Sequence, residues 1–229
     1  MPEGASRLPA RQIAGVTPAA VLFDCDGVLA DTEGLVNRLV ATELSARGWP
    51  MDEAAARQAF LGMAWPDMRP LVEARTGALP LEWEDTFSRR ITELLMTETL
   101  PIPGAIGALL LVAARLPVAI ASNSSRRELT IKLQRLGLVE VFGARRFSFE
   151  DVPRAKPAPD IYRAAAAACG AAPADCVVVE DSLAGIRAGL AAGCRVLGFA
   201  RDTPAAVLAQ AGATPFNDMA TLPALLGLC

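Results

Sequence analysis

Residues 19–33 read Ala19-Ala20-Val21-Leu22-Phe23-Asp24-Cys25-Asp26-Gly27-Val28-Leu29-Ala30-Asp31-Thr32-Glu33. A short apolar run, Ala20 to Phe23, ends in two carboxylates two residues apart, and Gly27 follows at once. An apolar run of this length closed by a glycine turn predicts a buried strand. Side chains alternate along a strand, so Asp24 and Asp26 point the same way and Cys25 turns away from them. The bend expected at Gly27 leaves both carboxylates at the strand's carboxyl end, where parallel α/β sheets place their ligand sites. Paired carboxylates there can bind a hard divalent cation through oxygen. One can also attack as a nucleophile while the other moves a proton. Taken alone, the pair is equally consistent with a turn cap beside a solvated aspartate.

Beyond this strand the pattern is first wholly helical, then alternating. Leu35, Leu39, Val40 and Leu44 fall at helical spacing before Gly48. Asp52 predicts an N-cap for a helix over 53–61, and Pro66 fits the first turn of a further helix that Gly77 ends. A longer helix is expected over 81–98. From Pro103 onward, helices over 105–115, 126–136, 156–168, 182–192 and 204–211 alternate with strands at 118–121, 147–149, 176–179 and 195–199. That alternation implies a parallel sheet covered on both faces. The expected organisation is a loose N-terminal leader over 1–18, an α/β core over 19–33 and 100–229, and an all-helical cap over 34–99 spliced in after the first strand.

Composition narrows the function classes. The chain has 229 residues, of which 52% are hydrophobic and 21% charged, and a net charge of -3. That length buries a sizeable core, and no broad basic field is present to hold nucleic acid. The most apolar stretch, 101–122, is split by Arg115 and Pro117, so no membrane span is expected. Five cysteines without a Cys-x-x-Cys pair fit a reducing cytoplasm. The chain has no histidine, which excludes His-ligated zinc and His-based nucleophile activation. Acid–base work therefore falls to Asp, Glu, Lys or Tyr.

Three predicted strands end in polar groups: Asp24 and Asp26, Ser122 and Asn123, and Glu180 and Asp181. Lys156 opens a segment between the last two. In a parallel sheet these ends share one edge and converge. The carboxylates carry enough charge for one Mg²⁺, Lys156 adds a point charge, and Ser122 with nearby backbone N–H groups suits phosphate oxygens. An anion, a dication, a nucleophile and a proton donor together describe phosphoryl transfer.

The order FDCDGVLADTE, ASNSS, KPAPD and EDS resembles the haloacid dehalogenase-like hydrolases, and more closely their sugar-phosphate phosphatase and β-phosphoglucomutase-like branch with a helical cap. The resemblance runs from about Ala19 to the C-terminus. It implies a Rossmann-like, doubly wound parallel sheet with an inserted helical cap, and Mg²⁺ as cofactor. It makes Asp24 the nucleophile that forms an aspartyl-phosphate, and Asp26 the acid and then base, its backbone carbonyl also on the metal. Lys156 would neutralise charge. Ser122, with Asn123 and Gly27, would hold the phosphate. Asp24, Asp26, Asp181 and Glu180 would form the metal set, Glu180 directly or through water. The cap turn with Gly62, Met63 and Trp65 would contribute to specificity.

Departures from the branch bear on the reaction. Where the mutases carry a histidine in the first cap helix, this chain has Val36. Where they carry an arginine gripping the second phosphate, the position falls at Trp65. No lysine stands between Gly34 and Leu100, so a phosphonate hydrolase with a cap Schiff base is not expected. The expectation is a Mg²⁺-dependent phosphatase acting on a sugar phosphate or sugar-acid phosphate. The alternatives are a sugar-phosphate mutase and a non-catalytic phospho-receiver. Arg57, Arg69 and Arg75 are candidate contacts for a carboxylate or second phosphate, and Thr32 and Pro101 candidate hinges. A small-molecule phosphomonoester is the expected partner, with no nucleic acid or membrane, for a cytoplasmic monomer.

Overall fold

The computed structural model describes residues 17–228, so most of the expected leader lies outside the described residues. In chain order the elements are β1 (Ala20–Phe23), β2 (Ala30–Asp31), α1 (Glu33–Ala46), α2 (Glu53–Phe60), α3 (Trp65–Thr76), α4 (Trp83–Glu98), β3 (Leu100–Pro101) and α5 (Ala105–Ala113). Then come β4 (Val118–Ala121), α6 (Arg126–Arg135), α7 (Val139–Phe142), β5 (Arg146–Phe147), α8 (Asp160–Ala168), β6 (Cys176–Glu180), α9 (Leu183–Ala192), β7 (Arg195–Phe199), α10 (Ala205–Gln210), β8 (Thr214–Phe216) and α11 (Leu222–Leu225).

Six strands form one parallel sheet in the order β5-β4-β1-β6-β7-β8. Strand β1 is fully buried between β4 and β6, which is why it reads as a continuous apolar run rather than an alternating one. Its side chains divide between two cores. Val21 and Phe23 join α5, α6 and α11 on one face, and Ala20 and Leu22 join α8, α9 and α10 on the other. Each such Val, Leu or Phe withdrawn from water stabilises the sheet by about 1.5–3 kcal/mol. The chain leaves β1 toward β4 on one side and β6 on the other, so the order reverses beside β1, and a crevice opens there at the strands' carboxyl ends.

Helices α1–α4 build the cap around Val40, Leu44, Phe60, Val72 and Phe87. Asp52 caps α2 through Ala55 N at 2.8 Å, and Gly77 closes α3 at φ +80°. The cap enters and leaves the core through a two-stranded antiparallel ribbon in which Ala30 pairs Pro101 and Asp31 pairs Leu100. The sequence reading missed this ribbon, because two-residue strands carry no period. It also missed α7, β8 and α11.

Two boundaries differ from expectation. The strand expected at 147–149 is Arg146–Phe147, and Phe149–Asp151 forms a 3₁₀ turn capped by Ser148. The helix expected from Lys156 begins at Asp160. Pro157 and Pro159 disfavour helical backbone in the residues before them, which leaves Lys156 in a loop.

Candidate active site

The ends of β1, β4 and β6 meet as the strand order requires. Asp24, Asp26, Ser122, Lys156 and Asp181 line one cavity of about 180 Å³ between core and cap. Cys25 is turned into the sheet core and fully buried. Gly27 takes φ +74°, the left-handed bend that turns the chain out of β1.

Lys156 ties three strand ends together, those of β1, β4 and β6. Its Nζ donates to Asp24 Oδ1 at 2.6 Å, to Glu180 Oε1 at 2.6 Å and to the Ala121 carbonyl at 2.8 Å. The lysine is 2% exposed. Burial lowers its pKa, but Asp24 and Glu180 outweigh that and keep it charged, with a net shift upward. Burial pushes the Asp24 carboxyl up to about 8, against the pull of Lys156, and Glu180 and Asp26 add to the rise. Tyr162 OH donates to Glu180 at 2.7 Å beneath them.

Asp26 has a different partner, which the sequence reading missed. Lys132, buried in α6, donates to both Asp26 carboxylate oxygens at 2.7 and 2.6 Å and to Ser124 Oγ at 2.5 Å. Ser124 Oγ in turn donates to Asp26 at 2.9 Å, Ser122 Oγ lies 3.3 Å from the same oxygen, and Thr32 Oγ1 donates to the other. Burial raises the Asp26 carboxyl, yet Lys132 and these donors hold it below the usual range. One sequence signal for Lys132 exists. It shares a helix stripe with buried Leu129 and Leu133, where a charged residue requires a partner.

Carboxylate oxygens of Asp24, Glu180 and Asp181 lie within 4.8 Å of one another, all three residues buried. With Asp26 they place four carboxylates against two ammonium groups. The excess of two negative charges, on hard oxygen donors, fits one divalent cation. Gly27 makes room for this cluster, since a Cβ there would come 2.1 Å from Asp181 Oδ2.

Hydrogen bonds already engage three of the expected site residues. Glu180 is already saturated: besides Lys156 and Tyr162 it accepts from Asp181 N, Ser182 N and Ser182 Oγ. It anchors Lys156 while its carboxylate stays within the acidic cluster. The Asn123 amide is also spent, donating to the Gly62 and Lys156 carbonyls at 2.8 and 3.0 Å and accepting from Lys156 N at 3.0 Å. It staples the cap turn to the Lys156 loop and has no amide hydrogen left for a phosphate. Gly27 N donates to the Ala30 carbonyl at 2.9 Å, so it too is unavailable. The carboxylate of Asp26 points to Lys132 and Ser124.

Residues 18–193 match the family of haloacid dehalogenase-like hydrolases. The chain belongs to this family. Among its relatives is 6-phosphogluconate phosphatase of Escherichia coli, 30% identical over 90% of this chain and 93% of that protein. Hexitol phosphatase A of the same organism is 34% identical over 79% and 86%. A haloacid dehalogenase family hydrolase from Deinococcus radiodurans, solved with bound phosphate and sodium, superposes with a TM-score of 0.72. It is 34% identical over 93% of this chain and 97% of that one.

The cap turn meets the core site through Gly62. Gly62 takes φ +73°, and a Cβ there would come 3.0 Å from Ser182. Gly62, Met63 and Trp65 line the cavity as expected, and Val36 stands beside them. Arg57, Arg69 and Arg75 do not line it. Arg69 pairs with Glu73 and Glu84, Arg75 lies over the Trp49 ring, and Arg57 reaches Asp202 of the core at 3.6 Å. No helix among the described residues is long and apolar enough to cross a membrane.

Proposed function

We propose that this protein hydrolyses small phosphomonoesters of the sugar-phosphate kind, with Mg²⁺ bound, through an aspartyl-phosphate on Asp24. The observation that carries this is the pairing of Asp24 and Asp26 at one cavity with separate lysines. Lys156 fixes the first carboxylate and Lys132 the second. The two carboxylates therefore sit in different electrostatic environments at the same cavity.

In this reading an Asp24 oxygen attacks phosphorus, and the bond from phosphorus to the ester oxygen breaks. Asp26 has to take up a proton in the substrate complex, against the pull of Lys132, and gives it to the leaving oxygen. A water then attacks the phosphorus while Asp26 takes its proton. The Asp24–phosphorus bond breaks, releasing phosphate and restoring both side chains. Lys156 offsets charge on Asp24 and the transferring group, and Ser122 holds a phosphate oxygen. Residues 34–99 act as the cap that excludes bulk water. Asp24, Asp181 and the Asp26 main-chain carbonyl would hold Mg²⁺, which supplies positive charge to the phosphoryl oxygens when bound.

The phosphatase names of the relatives support the same reading. A mutase must grip a second phosphate, and Val36 and Trp65 offer no charge for it. Mg²⁺-dependent phosphate release from phosphomonoesters, lost in Asp24→Asn, tests the proposal. Folded protein that releases none would overturn it.

A further inference from the structure

The cavity wall supplied by the cap is apolar. Val36, Val40, Phe60, Trp65, Met68 and Phe87 form most of it. Of the cationic residues among those described, only Lys132 and Lys156 line the cavity, both from the core and both paired with site carboxylates. The cap arginines are engaged elsewhere. Arg38 pairs with Glu53, Arg90 with Glu43, and Arg47 lies over Trp83. Arg57, Arg69 and Arg75 have the partners given above, and Arg89 is exposed away from the cavity. The remaining charges on the lining are negative: Asp181 of the acidic cluster, and Glu128, held in the capping box of α6. An anionic substrate tail would meet that wall without a counter-charge, a cost its burial does not return.

Two polar features remain. Asn37 lines the cavity at 8% exposure. Trp65 lines it as well, and its indole Nε1 is buried without an acceptor among the described residues. Its ring packs against Phe87 at 6.1 Å and Trp83 at 5.3 Å. A rigid indole face beside apolar neighbours suits a neutral ring or carbon chain.

We infer that the cap selects phosphomonoesters of an uncharged alcohol with an apolar face, and discriminates against sugar-acid phosphates and bisphosphates. This narrows the phosphatase reading above and rests on it.

The test is kcat/KM for a matched pair, glucitol 6-phosphate and 6-phosphogluconate, which differ by a hydroxymethyl group in place of a carboxylate. Benzyl phosphate and glycerol 1-phosphate form a second pair, and acetyl phosphate reports cap-independent phosphoryl transfer. The expected result is at least a tenfold preference for glucitol 6-phosphate over 6-phosphogluconate, and for benzyl over glycerol phosphate. Met68→Arg, which adds a cation to the wall, should cut the first preference at least tenfold by raising turnover of the acid. Acetyl phosphate turnover with 6-phosphogluconate equal to or better than glucitol 6-phosphate would overturn the inference while leaving the phosphatase reading intact. No phosphate from any compound would overturn the phosphatase reading and this inference with it.

Discussion

Lys132 Nζ stands 2.7 and 2.6 Å from the two carboxylate oxygens of Asp26, although 106 residues separate them. The contact joins α6 to the end of β1 and gives the second carboxylate a cation of its own. Lys132→Met removes the main charge that holds the Asp26 carboxyl low. Its pKa should then rise. Asp26 must be protonated to act as the acid, and kcat/KM reports that first half-reaction, so the alkaline limb of the pH–rate profile moves to higher pH. Comparing kcat/KM from about pH 5 to pH 9 in wild type and variant measures the displacement. An unmoved profile would contradict the role given to Lys132.

Asn123 spans the cap turn and the Lys156 loop through three hydrogen bonds. At about 0.5–1.5 kcal/mol net for each, Asn123→Ala should cost about 1.5–4.5 kcal/mol. For a chain of this size that lowers Tm by roughly 2–4 °C per kcal/mol. The variant should also show a raised KM, because the cap turn loses its tie to the core.

Gly27→Ala attacks the acidic cluster without touching a charge. The added Cβ would lie 2.1 Å from Asp181 Oδ2, at a φ of +74° that L residues rarely adopt. Asp181 must shift. The expected outcome is a protein that folds, with weakened Mg²⁺ dependence of turnover and activity reduced at least tenfold. Titrating activity against Mg²⁺ separates this from simple instability.

The buried thiols should be inert at neutral pH. Burial pushes Cys176 up to about 11 and Cys194 up to about 12, and Cys25 higher still. Thiolate is the nucleophilic form. Iodoacetamide at pH 8 should therefore leave these three unmodified in the native protein and label them after unfolding, as mass spectrometry of peptides would show.

Much of the architecture was legible because fully buried parallel strands and capped helices leave local marks. The runs at 20–23, 118–121 and 195–199, the Asp52 cap and the Gly77 stop all appear at the expected positions. The site residues that end strands were legible for the same reason: the sheet's topology collects its strand ends. What escaped was set by tertiary contact. Lys132 sits mid-helix, with no motif around it. Asn123 has the right position for a phosphate contact, but its amide is consumed by Gly62 and Lys156. Glu180 lies in the acidic cluster, but five donors occupy its oxygens. Spacing places a residue at a site, but does not disclose which neighbours have already used its hydrogen-bonding capacity.

The central claim is that Asp24 is the nucleophile. Its most direct test is phosphate release from a phosphomonoester panel by wild type and Asp24→Asn, with Mg²⁺ or with EDTA, alongside circular dichroism of both proteins. The account predicts turnover in the wild type that EDTA removes, and a loss of at least 10³-fold in the folded variant, in line with the loss expected when covalent catalysis is removed. A folded Asp24→Asn protein that retains wild-type turnover would contradict it.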